Sequence, residues 1–247
     1  MNKLSLFSGI GGDDIASEQA GISTVCFVER DPFCQKVLNK HWPEIPIIGD
    51  IHDCTKEKIK GTVDIIGGGF PCQPFSNAGN RRGQEDDRYL WPEMLRLVQE
   101  FKPAWVVGEN VAGIINLGLD TVLSDLENEH YRTQAFIIPA CAISAPHRRD
   151  RVFMVAHLQS LDEQSGNQKE TDWELQGCGE YRGCFEQSWL QVAPTLCRVD
   201  DGFPTRLDKD RLHALGNACM PQQIYPIYKA IVEIDSLNIL TIREQVV

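Results

Sequence analysis

The segment 67–76, GGGFPCQPFS, contains the residue with the clearest chemical potential in the sequence. Cys72 lies between Pro71 and Pro74, which stiffen the backbone, and it precedes a Gly- and Arg-rich stretch, 79–88, suited to a mobile lid. Nearby Arg side chains favour the thiolate, which is the form that attacks an electrophile. Most cysteines are small buried apolar residues, but this setting indicates a candidate nucleophile.

Charged residues at two other apolar runs are candidates to act with this thiol. The run AWVVGEN ends in Glu109-Asn110, at the sheet edge where Cys72 is expected. The segment PHRRDR leads into another apolar run, and the alternation of a strand predicts that Arg149 and Arg151 share one face. A solvated Glu109 and a structural ion pair of the arginines are the alternative interpretations.

A Gly-rich turn near the N-terminus is a candidate ligand site. The residues 7–12, FSGIGG, follow the apolar run LSLF and are expected to open a helix, where a ligand can approach the backbone closely. Such turns also serve many nucleotides or simple chain reversal. Glu29 ends the next apolar run and Asp50 lies at a later turn. Two carboxylates would repel a phosphate, so they favour a neutral or cationic nucleoside.

These residues must be positioned by elements that alternate along the chain. Short runs rich in Val, Ile or Phe predict buried strands of a largely parallel sheet: LSLF, TVCFVE, VDIIGG, AWVVGEN, AFIIPA and RVFMVAH. Apolar spacing predicts helices over 31–40, 91–100 and 222–234. Strand and helix therefore alternate as in a doubly wound α/β fold, in which ligands bind at the carboxyl ends of the strands.

Composition limits the class of protein. A chain of 247 residues is expected to form one main domain with a small appendage. It contains neither an apolar run of roughly 20 residues nor a secretion signal, which predicts a cytoplasmic protein. Its nine scattered cysteines are expected to be reduced thiols. The net charge of −11 is unusual for a nucleic-acid binder, although basic residues gathered at one cleft can steer a polymer locally.

The order of the motifs resembles the DNA cytosine C5-methyltransferase family. Eight motifs occur in the order that is typical of the family: FSGIGG, ERD, GD, GFPCQPFS, the DR and LW of the loop end, ENV, RRDR, and GNA with a following Pro. The resemblance implies a Rossmann-like S-adenosylmethionine-dependent methyltransferase core with a mostly parallel twisted sheet. It implies methyl transfer to C5 of cytosine in double-stranded DNA, with Cys72 attacking C6 of a flipped-out base and with no metal.

The same resemblance implies roles for individual residues. The catalytic residues would be Cys72, Glu109, Asn110, Arg149 and Arg151. The cofactor-binding residues would be Phe7, Ser8, Gly9, Ile10, Gly11, Gly12, Glu29, Arg30, Asp50, Ile51, Pro71, Leu90, Asn217 and Ala218. The DNA-binding residues would be Gln73, Ser76, Arg82 and Arg88. The chain departs from the family pattern at Asp13, where a bulky apolar residue is common, at Arg30, where an aromatic one is, and at His147, which replaces a frequent Gln.

The resemblance also divides the chain into segments. A catalytic domain is expected over 1–157, a small DNA-recognition insertion over 158–205, and a segment returning to the catalytic domain over 206–247. The insertion has nine acidic residues against three basic ones and no basic stripe, which favours either a short DNA target or a second subunit that helps to recognise it.

Two other functions remain open on the sequence. One is a tRNA cytosine C5-methyltransferase of the same fold, which would need an RNA-specific segment. The other is a catalytically silent binding subunit, suggested by Asp13 and Arg30. A nucleotide-binding oxidoreductase would leave the PCQ and ENV motifs unexplained.

Overall fold

The computed structural model describes residues 1–71, 89–145, 147–159 and 205–245, with side chains in the last range at 210, 211 and 213–237. These residues form a seven-stranded sheet in the order β3-β2-β1-β4-β5-β7-β6. The strands are β1 Asn2–Leu6, β2 Ser23–Val28, β3 Ile47–Ile48, β4 Ile65–Gly68, β5 Trp105–Val111, β6 Tyr131–Ile138 and β7 Arg151–Leu158.

Neighbouring strands from β3 to β5 are parallel, whereas β7 is antiparallel to both β5 and β6. All six predicted strands are present, and the α/β class with a mostly parallel sheet is confirmed. The two-residue strand β3 was not predicted, because it is too short to show a period.

The helices are α1 Gly12–Gln19, α2 Pro32–His41, α3 Trp91–Phe101, α4 Leu119–Asn128, α5 Thr205–Asn217 and α6 Pro221–Gln245. Three of them correspond to the predicted helices at 31–40, 91–100 and 222–234. The side chain of Asp31 caps α2 by accepting hydrogen bonds from the backbone N–H groups of Phe33 and Cys34, and Pro32 occupies the first helical position. No helix within the described residues is long and apolar enough to span a membrane.

Side-chain alternation along the strands builds two cores, one on each face of the sheet. On one face, Ile66 and Val106 pack with side chains of α3 and α4, such as Met94 and Leu126. On the other face, the adjacent residues of the same two strands, Ile65 and Val107, pack with residues of α1 and α6. The sheet is therefore the middle of three layers, with its strand ends exposed at the edges of the sandwich.

The carboxyl ends of the parallel strands bring the candidate residues to one edge of the sheet. The segments that follow β1, β2 and β4 begin there with Phe7, Glu29 and Gly69. Strand β7 runs in the opposite direction and so begins at this edge, where Arg151 pairs with Val111 of β5. The polar residues from distant parts of the sequence thus meet at one edge.

Candidate active site

The turn after β1 has the backbone geometry expected of a Gly-rich ligand turn. Phe7, Gly9 and Gly11 have φ angles of 52°, 54° and 83°, in the left-handed region that favours glycine. A Cβ atom on Gly11 would lie 2.5 Å from the Trp42 ring, whereas one on Gly9 would meet nothing within 4 Å. The space in front of Gly9 is therefore open, and α1 begins directly after the turn.

The acidic residue that ends β2 lies against this turn. The carboxylate of Glu29 accepts a hydrogen bond of 2.6 Å from the backbone N–H of Gly9 and one of 2.7 Å from that of Asp31. The Glu29 carboxylate is thereby fixed beside the open space at Gly9. A second fixed carboxylate, that of Asp50, accepts a hydrogen bond of 3.0 Å from the backbone N–H of His52.

The charge of Asp50 is favoured by its surroundings. Hydrogen bonds from the backbone and side chain of His52 lower the pKa of Asp50, and the Arg30 guanidinium adds a smaller effect in the same direction. The neighbouring Ile51 is buried, and its carbonyl oxygen accepts a hydrogen bond of 3.0 Å from Arg96. The turn at 50–51 is therefore anchored to α3 and presents an ionised carboxylate.

A buried amide fixes the start of the segment that leads to Cys72. The side-chain amide of Asn110 donates a hydrogen bond of 3.0 Å to the carbonyl oxygen of Phe70, whose ring packs 5.2 Å from that of Trp91. Pro71 directly precedes residues 72–88, and Leu90 lies two positions after them. Cys72, Gln73, Ser76, Arg82 and Arg88 lie outside the described residues.

Glu109 lies beside this start in an environment that opposes its ionisation. Burial raises the pKa of Glu109, while the guanidinium groups of Arg151 and Arg149 act in the opposite direction. Its carboxylate forms an ion pair of 2.7 Å with Arg151 Nε. Gly69 leaves room for it, because a Cβ atom there would lie 2.6 Å from Glu109 Oε2.

Arg149 reaches the site by a turn and not by strand alternation. Its φ angle is 31°, and the strand begins only at Arg151, so the expected period-two alternation does not apply to residues 148–150. Arg149 Nη2 donates two hydrogen bonds of 2.8 Å, to the carbonyl oxygens of Gly216 and Ala218. Arg148 instead pairs with Asp150 at the exposed surface.

The segment between α5 and α6 joins the arginine end of the site to the Gly-rich turn. A Cβ atom on Gly12 would lie 2.1 Å from the Cys219 carbonyl oxygen, so the start of α1 packs directly on this backbone. A cavity of about 370 Å³ lies between the two parts, lined among others by Ile10, Gly12, Arg149 and Ala218. Asn217 ends α5, with Nδ2 3.1 Å from His213 Nε2.

A buried charge network behind the site was missed by the sequence analysis. Lys3 of β1 is 0% exposed, and its Nζ lies 2.7 Å from Asp13 Oδ2 and 2.9 Å from Asp14 Oδ1. The hydroxyl of Tyr228 in α6 donates to Asp13 at 2.7 Å. The signal was present, because Lys3 interrupts an apolar strand and Asp13 departs from the family pattern, and a buried charge needs a partner.

The sheet order, with the candidate residues at the carboxyl ends of the parallel strands, defines a Rossmann-like α/β fold. The sequence model of the C-5 cytosine-specific DNA methylases matches residues 1–192, and the chain belongs to that family.

Individual relatives agree with this assignment. The Type II methyltransferase M.AquIA of Picosynechococcus sp. is 37% identical over 175 residues, which is 62% of this chain and 71% of the relative. The Type II methyltransferase M.Eco47II of Escherichia coli is 34% identical over 165 residues, which is 64% of this chain and 40% of the relative. A crystal structure of a mutant of Spodoptera frugiperda DNMT2 superposes with a TM-score of 0.56 at 25% identity and covers 69% of this chain and 53% of that protein. The chain thus spans only about half, or less, of two of these three proteins.

Proposed function

We propose that this chain transfers a methyl group from S-adenosylmethionine to C5 of cytosine in double-stranded DNA. The observation that supports this most strongly is the hydrogen bond from Asn110 to the Phe70 carbonyl, which holds the residue two positions before Cys72 beside Glu109. A thiol nucleophile and a carboxyl group whose pKa is raised by burial would then face the same substrate.

The residues around the Gly-rich turn fit S-adenosylmethionine. The open space at Gly9 lets a ligand approach the backbone, and the carboxylates of Glu29 and Asp50 lie at the same edge of the sheet. Carboxylates accept hydrogen bonds from ribose hydroxyls and favour a cationic ligand. When bound, the cofactor would supply an electrophilic methyl group on a sulfonium. The cofactor site is proposed to be completed by the remaining residues that the family resemblance implies: Phe7, Ser8, Ile10, Gly11, Gly12, Arg30, Ile51, Pro71, Leu90, Asn217 and Ala218.

Cys72 would activate the cytosine ring for this transfer. C5 of cytosine is a weak nucleophile because the ring is aromatic. Addition of the Cys72 thiolate to C6 breaks the aromaticity and makes C5 an enamine carbon. Glu109, in its acid form, would donate its proton or a hydrogen bond to N3, where the electron density from C6 collects. C5 then takes the methyl group. A water molecule would accept the C5 proton, so that the C5–C6 double bond re-forms as the bond from C6 to the Cys72 sulfur breaks and N3 returns its proton to Glu109.

The two arginines would orient these partners. Arg151 is proposed to hold the Glu109 carboxyl group in place through their ion pair of 2.7 Å. Arg149 is proposed to hold the base through O2. Arg149 Nη2 donates both of its hydrogen atoms to the carbonyl oxygens of Gly216 and Ala218. The N–H groups at Nε and Nη1 of Arg149 remain to donate to a ligand.

The DNA substrate requires a flipped-out base, because C5 and C6 of a stacked cytosine are out of reach. Unstacking costs a few kcal/mol, which contacts in the pocket would offset. Gln73, Ser76, Arg82 and Arg88 are proposed to contact the DNA. The insertion 158–205 is proposed to recognise a short target, alone or with a second subunit; methylation of a long site by the purified chain alone would contradict both versions.

The test is methyl transfer from labelled cofactor to duplex DNA and, in parallel, to tRNA, followed by mapping of the modified base. We expect 5-methylcytosine in DNA. Cys72→Ser should abolish this transfer while the cofactor dissociation constant changes less than about twofold, because the sulfur contributes to the reaction and not to cofactor binding. Label in tRNA alone would support the tRNA enzyme, and cofactor binding without transfer would support the silent subunit. Normal turnover in Cys72→Ser would refute the mechanism.

A further inference from the structure

Arg149 has a backbone conformation that its neighbours must maintain. Its φ angle of 31° lies in the left-handed region, which a residue with a side chain rarely adopts. Such conformations persist when the surrounding structure over-determines them. The contacts that hold Arg149 therefore decide where its guanidinium group lies.

One of these contacts comes from a fully buried amide in helix α6. Gln223 is 0% exposed. Its Nε2 donates a hydrogen bond of 2.7 Å to the carbonyl oxygen of Ile138 and one of 3.1 Å to that of Arg149. Gln223, which is 74 residues from Arg149 in sequence, thus ties the backbone of Arg149 to the end of strand β6.

The orientation of this amide follows from its surroundings. If it were reversed, its oxygen would face two carbonyl oxygens, so Nε2 must point toward Ile138 and Arg149. Gln223 Oε1 is buried and has no hydrogen-bond partner among the described residues. A buried acceptor without a partner is unfavourable, so the side chain stabilises the fold mainly through its two donated bonds.

The segment that precedes Gln223 holds the other end of Arg149. The carbonyl oxygens of Gly216 and Ala218 both accept from Arg149 Nη2 at 2.8 Å. Backbone and guanidinium are therefore fixed by one C-terminal segment, 216–223. These contacts hold Arg149 at the wall of the cavity that Ile10 and Gly12 of the Gly-rich turn also line.

We propose that Gln223 is a positioning residue for the methylation reaction, which acts by fixing the backbone of Arg149. The proposal rests on the proposed function, in which Arg149 holds the target base. It assigns to helix α6 a role in substrate placement, although Gln223 itself does not touch the cavity that Arg149 lines.

The test replaces Gln223 with a residue of similar length that cannot donate hydrogen bonds. Gln223→Met should lower kcat/KM for DNA roughly 10-fold or more, while the cofactor dissociation constant stays within about twofold of the unmodified protein. The matched control is Tyr228→Phe, which removes a buried hydrogen bond from the same helix but does not contact Arg149. An equal loss of kcat/KM in both variants would show a general effect of helix stability and overturn the proposal.

A double-mutant cycle separates positioning of Arg149 from any other effect of Gln223. If Gln223 acts through Arg149, Gln223→Met should cause little further loss of kcat/KM in an Arg149→Ala background. Full additivity of the two losses would overturn the proposal.

A crystal structure of Gln223→Met tests the positioning without reference to activity. We expect the φ angle of Arg149 to move to the negative region and its guanidinium to leave Gly216 and Ala218. An unchanged Arg149 would overturn the positioning role even if methylation is demonstrated. Absence of methyl transfer by the unmodified protein would contradict the proposed function, whereas a displaced Arg149 would still support the structural part of this inference.

Discussion

The carboxylate of Glu109 lies 2.7 Å from Nε of Arg151, and the two side chains are only 13% and 14% exposed. They come from the antiparallel strands β5 and β7, which are hydrogen-bonded neighbours. Burial raises the pKa of Glu109, and the two nearby arginines act against this rise. Burial therefore favours the acid form that a proton donor requires, whereas the ion pair with Arg151 favours the carboxylate.

Glu109→Gln should reduce kcat about 100-fold or more, because the amide keeps the shape of the side chain but cannot transfer a proton. Cofactor affinity should change little, since Glu29 and Asp50 are proposed to bind the cofactor. Single-turnover methylation and cofactor titration measure the two effects separately. An unchanged kcat would exclude Glu109 as the proton donor.

The pH dependence of kcat should report the raised pKa of Glu109. The acid form is the proposed donor, so the rate should be retained below this pKa and fall as the pH rises through it. The fall should occur above 4.5, the ordinary value for a Glu side chain, because burial shifts the pKa upward. In Glu109→Gln, the residual rate should not show this fall, and a fall at the same pH would assign it to another group.

Arg151→Met should destabilise the protein by about 3 kcal/mol near neutral pH, because it leaves a buried carboxylate without its cation. Glu109→Gln in the same chain should recover much of this loss, since it removes the unpaired charge. Urea unfolding of the two single variants and the double variant gives the interaction energy. Equal stability of Arg151→Met and the unmodified protein would indicate that solvent, and not Arg151, balances the Glu109 charge.

Much of the fold could be predicted from the sequence because its signals are local. The apolar runs that form β1, β2, β4 and β5 are of the kind that a buried parallel sheet requires, and Asp31 and Pro32 mark the start of α2. Helices α4 and α5 were missed. The α5 sequence, TRLDKDRLHALGN, is strongly polar and has little apolar contrast. In α4 the signal was present, because Leu119, Val122, Leu123 and Leu126 recur at helical spacing.

The candidate site was less predictable where it depends on contacts between distant residues. The meeting of Glu109 and Arg151 follows from strand order, but the left-handed backbone of Arg149 has no signal in its own residue type. Gln223 and Tyr228 read as ordinary residues of an amphipathic helix. Their partners, Arg149 and Asp13, are 74 and 215 residues away, so only the packing of α6 reveals them.

Gly69→Ala should lower kcat without a comparable loss of stability. The added Cβ would lie 2.6 Å from Glu109 Oε2, and this side chain can move more easily than backbone. Displacement by a fraction of an ångström disturbs a positioned catalytic group, so we expect kcat to fall roughly 10-fold. In a Glu109→Gln background the same change should add little, and an undiminished effect there would indicate that Gly69 acts elsewhere.

The free energy of unfolding should depend on pH through a buried network formed by Lys3, Asp13, Asp14 and Tyr228. The charges of Asp13 and Asp14 outweigh the effect of burial and raise the pKa of Lys3. Because this folded-state pKa exceeds the ordinary value of 10.5, the stabilisation is fully present below 10.5 and is lost as the pH rises through the folded-state value.

Lys3→Met should cost about 3 kcal/mol near neutral pH, because it leaves two buried carboxylates without a cation. The loss should become smaller as the pH falls, since burial raises the pKa of Asp14 and a protonated Asp14 needs no cation. Lys3→Met with Asp13→Leu and Tyr228→Phe replaces most of the network by apolar groups and should be more stable than Lys3→Met alone. Unfolding midpoints of the single and triple variants, measured across pH, test this order of stability. A triple variant less stable than Lys3→Met would show that the network stabilises the fold by more than the neutralisation of its own charges.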